Sequence, residues 1–263
     1  MSAQPVFEGS DGRFVASETA RGPWDRQAQH GGAPAALLMR AFEQLPAGDG
    51  LGIARVTYEL LRPAPVGAVE VRAEIVRPGG RVQLLEGSMV ANGVEVVRAR
   101  ALRVRRAELE TTASAVKGSN CPAMPPGPDQ GCPPVLDLPF RPIFILDAVE
   151  IRFVSGNWGR GPATAWFRLS RPLVQGETPT PLQQLAAAGD FGNGISATLS
   201  WEEYLYINPD LTLYVEREPV GEWICLESQT RIAAGGIGIA ESVLYDERGR
   251  VGRATQALLV APR

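Results

Sequence analysis

The strongest constraint on the fold of this 263-residue chain is an internal repeat. Val56-Thr57-Tyr58-Glu59-Leu60-Leu61-Arg62-Pro63-Ala64-Pro65-Val66-Gly67 has a counterpart in Leu211-Thr212-Leu213-Tyr214-Val215-Glu216-Arg217-Glu218-Pro219-Val220-Gly221. Each reads as a strand, an Arg, a Pro-containing break, then Val-Gly opening a further strand. The next strands, Ala68 to Arg77 and Glu222 to Arg231, both end in Arg and run on to Gly79-Gly80 and Gly235-Gly236. A third strand, a tight turn at Asn92-Gly93 or Arg248-Gly249, and a last strand beginning Arg98-Ala99 or Arg253-Ala254 complete each copy. Two such copies are one domain duplicated, not a solenoid, which needs at least about three repeats.

Residues 107–139 separate the copies. Their Pro, Gly and Ser content cannot continue a helix or a sheet, so they form a linker. The expected division is 1–106, an N-terminal domain; 107–139, the linker; and 140–263, a C-terminal domain. A helix precedes the strands in each copy. The first, Gly32 to Leu45, is rich in Ala, Leu, Met and Glu; the second opens at Thr180-Pro181, with Pro at the first helical position, and runs through Ala188. Further strands are expected at Arg13 to Ser17, Val149 to Val154 and Ala163 to Leu169. In Val69-Glu70-Val71-Arg72-Ala73-Glu74-Ile75 apolar and charged residues alternate, as in an antiparallel strand with one buried face. A helix against an antiparallel sheet, twice over, is an α+β class.

Composition narrows the function. With 44% hydrophobic and 21% charged residues the chain is of globular type, and a net charge of −3 gives nucleic acid no reason to bind. No apolar run approaches the ~18–20 residues of a membrane span, and Met1-Ser2-Ala3-Gln4-Pro5 lacks the design of a secretory signal. Three cysteines, Cys121, Cys132 and Cys225, have no disulfide or zinc spacing, although a Cys121–Cys132 bridge across the linker is open. Together these features read as a cytoplasmic protein without a metal site. His30 is the single histidine, and it lies outside any Gly-x-Ser-x-Gly context, so no Ser–His–Asp set can be assembled.

Local signatures run through both copies. The first carries Trp24, His30-Gly31-Gly32 and Leu61-Arg62-Pro63. The second carries Pro181-Leu182-Gln183, Ala188-Gly189-Asp190-Phe191-Gly192-Asn193-Gly194, Ile207-Asn208-Pro209-Asp210-Leu211 and Gly221-Glu222-Trp223. On these motifs the chain resembles the double-hotdog acyl-CoA thioesterases of thioesterase II type, whose halves are each a curved antiparallel sheet wrapped around a central helix. The resemblance implies a tandem double hotdog, an acyl-CoA substrate, no cofactor, and a homodimer or higher oligomer. It also implies a catalytic Asp on the second helix, a Thr or Ser on a following strand and a Gln on the last strand. These fall on Asp190, on Thr230 with Ser228 as its competitor in register, and on Gln256.

The residues bear on these assignments by themselves. Leu182, Leu185, Ala186 and Gly189 form an apolar helical stripe with Asp190 at its edge, where a carboxylate must be paired or have its pKa raised. A helix-end Asp tying off a Gly-rich turn accounts for it too. Ile224, Leu226, Ser228 and Thr230 share one strand face, so two hydroxyls point toward the helix; Thr also forms strands without further purpose. Gln256, among Ala254, Ala257, Leu258 and Leu259, can donate and accept, and an edge-facing structural Gln reads the same. Aligning the copies sets Val76 against Thr230 and Ala101 against Gln256, and the first helix has no carboxylate before Glu43. One working site, in the second copy, is the expectation. Asp190 would act as base on a water oriented by Thr230 and Gln256, while His30, Gly31, Gly32 and Ser228 would line the substrate, with N–H groups at Gly31 or Gly32 holding the oxyanion. A capping His at a helix-entry turn explains His30 equally. Two alternatives stand beside this: a hotdog enoyl-CoA hydratase or dehydratase, for which His30 lacks a partner at His-x4-Asp spacing, and a non-catalytic acyl-binding module.

Overall fold

Alternation along the strands is what builds the sheet. In β4 (Gly67–Arg77) Val69 and Val71 are buried while Glu70 and Arg72 are exposed, and in β5 (Val82–Ala91) every second residue turns inward. The computed structural model describes residues 4–107, 123–136, 138 and 140–263. Cys121, and with it the expected Cys121–Cys132 pairing, falls outside these residues. The other strands are β1 (Phe7–Ser10), β2 (Arg13–Ala16), β3 (Leu51–Leu60), β6 (Val94–Arg105), β7 (Val149–Ser155), β8 (Ala163–Leu169), β9 (Tyr204–Ile207), β10 (Asp210–Val215), β11 (Ile224–Ile232), β12 (Ile237–Asp246) and β13 (Gly249–Pro262).

All pair antiparallel in one sheet, ordered β1-β2-β4-β5-β6-β3-β10-β13-β12-β11-β8-β7, with β9 beside β13. From the central seam, where β3 meets β10, the order is the same going outward in either direction. The seam is closed by a ladder from Asp210↔Glu59 to Tyr214↔Arg55 and by a Thr212–Thr57 hydroxyl bond of 3.1 Å. Even the irregularities repeat: β5–β6 bulges between Met89 and Val90, and β12–β13 between Leu244 and Tyr245. Counting from these bulges, Ala101 and Gln256 hold equivalent places, opposite Leu85 and Ala240. The residue equivalent to Thr230 is Ile75, not Val76 as the ungapped alignment has it. Thr230 pairs with Ala240 and Ile75 with Leu85, whereas Val76 falls in a bulge that sequence spacing cannot reveal.

Among the described residues three α-helices complete the fold: α1 (Gly32–Gln44), α2 (Pro181–Gly189) and the short α3 (Gly192–Ser196). Residues 32–39 of α1 are buried all round, which is why this segment is built of Ala, Gly, Leu and Met. α1 packs on β4, β5 and β6; α2 packs on β8, β10 and β11; and the two helices pack on each other. Thr180 caps α2 by accepting the Gln183 N–H at 3.2 Å, with Pro181 at the first helical position. The helices run head to tail. A Cβ on Gly32, at the start of α1, would come within 2.5 Å of the Ala187 carbonyl near the end of α2, so only glycine permits this approach. At the other end, Glu43 of α1 accepts bonds from Thr180 Oγ1 at 2.8 and 2.9 Å and from Gln183 Nε2 at 2.8 Å.

The four-residue strands β1 and β9 and the Gly-containing α3 are too short for periodicity to announce. Much of the linker's described part lies against the second copy: Cys132 bridges to Phe153, and Pro126 O accepts the Trp166 indole N–H at 2.7 Å. No helix among the described residues is long and apolar enough to cross a membrane.

The carbonyls ending α1 are satisfied by a buried arginine of β6. Arg103 donates to Phe42 O, Leu45 O and Pro46 O at 2.5, 3.1 and 2.9 Å, and to Gln83 Oε1 at 2.9 Å. Arg103→Met is expected to lower Tm by about 10 °C, because it strands several buried acceptors. A thermal melt of the variant against the parent measures this.

Candidate active site

The head-to-tail helices bring the end of α2 against the beginning of α1, and Asp190 sits at that junction. It follows Gly189 as the cap of α2, in helical backbone geometry, and its side chain is 6% exposed. Oδ1 accepts from Asn208 Nδ2 at 2.8 Å and from Gln256 Nε2 at 3.1 Å. Oδ2 lies 3.1 Å from His30 Nδ1 and faces Gly31, where an added Cβ would stand 2.7 Å from it. Burial raises the carboxyl's pKa to about 7, against the opposing pull of the Asn208 amide, the Gly32 N–H and the Gln256 amide.

His30 lies against the rings of Phe144, 5.3 Å away, and Phe191, 4.6 Å away, which are themselves 6.2 Å apart. Burial there drops its pKa to about 3, so the ring is neutral. Its Nδ1 accepts the Gly32 N–H at 3.1 Å, which makes it the cap of α1's entry turn. An ionised Oδ2 beside an accepting Nδ1 would set two lone pairs against each other. The contact therefore favours the protonated carboxyl, which can donate to the neutral imidazole, in accord with the raised pKa of Asp190. The sequence spacing that denied His30 an acidic partner misleads here, because the partner comes from the other copy.

Thr230 and Ser228 stand elsewhere. Thr230 shares a cross-strand row with Ala240 and Gln256, about 9–10 Å from Gln256 by strand spacing. Its hydroxyl meets Ser196 Oγ at 2.8 Å. Ser196 already donates to Gly192 O at 2.8 Å, so Thr230 is the donor. Ser228 pairs with Ser242 at 2.6 Å beneath Gly192, where a Cβ would stand 2.7 Å from Ser242 Oγ. Gln256 accepts the Asn193 N–H at 3.0 Å and donates to Asp190, so both ends of its amide are committed. The structure thus gathers Asp190, Gln256, His30, Gly31 and Gly32 at one point, and sets Thr230 and Ser228 one step away, under α3. Thr230 holds α3 through Ser196, and Gln256 holds both α3 and Asp190.

Four residues of this network escape sequence reasoning: Asn208, Asn193, Ser196 and Ser242. Asn208 stands before Pro209, where an ordinary turn explains it fully. The serines lie in segments with no pattern to mark them.

The first copy corrects a further expectation. Glu43 lies nine residues after Pro34, as Asp190 lies nine after Pro181, so the first helix does carry a carboxylate at the matching place. There the opposing helix start is Thr180-Pro181 with Gln183, whose side chains occupy the carboxylate, instead of two glycines. Burial raises the Glu43 pKa, with the Gln183 and Thr180 bonds opposing it. Ile75 and Ala101 replace Thr230 and Gln256.

The family model described as the acyl-CoA thioesterase N-terminal domain matches residues 20–104, and that of the C-terminal domain matches residues 119–260. No curated protein matches the chain. Among solved structures, a conserved protein of unknown function with hot dog fold from Alicyclobacillus acidocaldarius superposes with a TM-score of 0.73 at 17% identity, covering 98% of this chain and 95% of that one. The acyl-CoA thioesterase II TesB2 from Mycobacterium marinum gives 0.67 at 15% identity, over 96% and 92%. The 12:0-ACP thioesterase from Umbellularia californica gives 0.51 at 14%, over 95% and 93%. At such identities the likeness is one of fold, and the large antiparallel sheet with few helices is of hotdog kind.

Asp190 is buried without penalty only while protonated. Its value rises from 3.8 to about 7 on folding, so stability falls as pH climbs through that interval, and the loss is complete above it. Asp190→Asn removes the penalty, and its amide can donate to His30 Nδ1. The variant is expected to melt several degrees above the parent at pH 8 and to lose that advantage near pH 4, as a series of melts against pH will read.

Proposed function

The chain belongs to the acyl-CoA thioesterase family and is thereby a thioester hydrolase, and from this we propose that it cleaves an acyl-CoA with a water activated by Asp190. What carries the reading is the placement of Oδ2 against the glycine start of α1. An added Cβ on Gly31 would stand 2.7 Å from Oδ2, so it is the glycine that lets the carboxylate come against the backbone of the helix start, where N–H groups can meet a thioester carbonyl. A pKa near 7 leaves about half the carboxyl ionised at neutral pH, which suits a general base. Among the described residues the Gly31 N–H is engaged in no hydrogen bond, whereas Gly32 N–H is held by His30; Gly31 is thus the better oxyanion donor. Water attacks the thioester carbon as Asp190 takes its proton, the oxyanion collapses, and CoA leaves as a thiol after receiving that proton.

We propose also that the molecule is a tandem double hotdog with a central helix in each half, bounded at 1–106 and 140–263 with 107–139 between. The mirrored sheet order and the two family matches support this division. His30 closes the site by capping α1 and meeting Asp190, and Thr230 and Gln256 act by holding α3 and the carboxylate.

One observation favours a second reading: the His30–Asp190 pair resembles the His–acid pair of a hydratase. The burial of His30 against the Phe144 and Phe191 rings leaves it little reach toward a substrate.

Thiol release from a panel of acyl-CoAs is the test. Hydrolysis is expected to rise with pH through about 7, and Asp190→Asn to lower kcat/KM by about 10²–10⁴-fold. Undiminished release by that variant, or conversion of a trans-enoyl-CoA to its 3-hydroxy product, would count against hydrolysis at this carboxylate.

A further inference from the structure

Asn208 makes the shortest hydrogen bond to the Asp190 side chain, 2.8 Å against 3.1 Å for Gln256, yet the chemistry above gives it no part. It stands in the two-residue break between β9 and β10, which both pair with β13, and that break is fixed from both sides. Leu60, at the end of β3, donates its N–H to Pro209 O at 2.7 Å, and Asp210 Oδ1 accepts the Ala257 N–H at 2.7 Å, next in sequence to Gln256. The Asn208 and Gln256 amides are thereby locked to one another across β10 and β13. Both converge on the same carboxylate oxygen.

We propose that Asn208 is a positioning residue for thioester hydrolysis: with Gln256 it takes up both lone pairs of Asp190 Oδ1, so that Oδ2, on the Gly31 side, is the oxygen that receives the proton from water. The proposal rests on Asp190 being the base. A neutral amide donor favours the ionised carboxyl over the acid without adding charge, so it offsets part of the burial that opposes ionisation. Among the described residues the one titratable group facing Asp190 is His30, 3.1 Å away at the entry of α1, and it is neutral. The remaining neighbours, Gly31 and Gly32 beside His30, Gln256 of β13 and Asn208 itself, carry no charge. No second cation or anion in contact is there to compensate if the Asn208 amide is removed.

The experiment is the pH profile of kcat/KM for acyl-CoA hydrolysis in the full chain, Asn208→Ala and Asn208→Asp, with Asp190→Asn as control and a thermal melt of each. A hydrogen bond to a charged group is worth about one pH unit or more. Asn208→Ala is expected to move the acid limb up by about one unit, lowering the rate about fivefold at pH 7 and by less than about twofold at pH 9. Asn208→Asp keeps the shape and substitutes a like charge, so its limb moves further; it also serves if the Ala variant does not fold. A loss equal at every pH, or a limb that neither variant moves while Asp190→Asn abolishes it, overturns the role of Asn208 and leaves Asp190 as base. If Asp190→Asn retains activity and limb, the base is elsewhere and both readings fall.

Discussion

Everything distinctive in this molecule follows from two buried helices lying head to tail at a separation that only glycine allows. α1 begins at Gly32 with the Ala187 carbonyl of α2 where a side chain would be. At so short a distance, whatever ends one helix is pressed onto what begins the other. A helix start offers unpaired N–H groups and a positive field, and here each helix ends in a carboxylate, Glu43 or Asp190. The two junctions are built to the same plan by the β3–β10 seam, which sets the halves in register.

The plan is completed differently at each end. Around Glu43 the opposing helix supplies Thr180 and Gln183, whose side chains saturate the carboxylate and tie the helices together. Around Asp190 the opposing start is Gly31-Gly32, so one oxygen is held by amides and the other meets His30 Nδ1 and the glycine backbone. The sheet face below differs to match. Ile75 and Ala101 underlie the first junction with apolar packing, whereas Thr230 and Gln256 hold up α3 and the carboxylate at the second. One junction is a clamp. The other leaves its acid buried, and that burial raises its pKa.

What the sequence discloses is what is written locally. The duplication, the strand beginnings and ends, the α2 start at Thr180-Pro181 and the inward face holding Ser228 and Thr230 all depend on neighbours within a few residues. The bulge that shifts Ile75 into the place given to Val76 leaves no trace in the spacing. The contact between His30 and Asp190 joins positions 160 residues apart, and no periodicity within one copy states which residue of the other copy it will meet. Asn208 stands in the sequence only within the motif Ile207-Asn208-Pro209-Asp210-Leu211; its contact with Asp190 is set by where Pro209 and Asp210 are tied down. Reading the copies against each other located the polar face, but it concealed Glu43, whose side chain is equivalent in place and opposite in use.

The central claim is that Asp190 acts on water and does not itself attack the thioester. Single-turnover hydrolysis of an acyl-CoA in H₂¹⁸O, with enzyme in excess, tests it directly by mass spectrometry of the released acid and of the peptide containing Asp190. The account predicts one ¹⁸O in the acid on the first turnover and none in the Asp190 peptide. Heavy oxygen in that peptide, with an unlabelled acid released first, would mean that the carboxylate had formed an anhydride, and would contradict it.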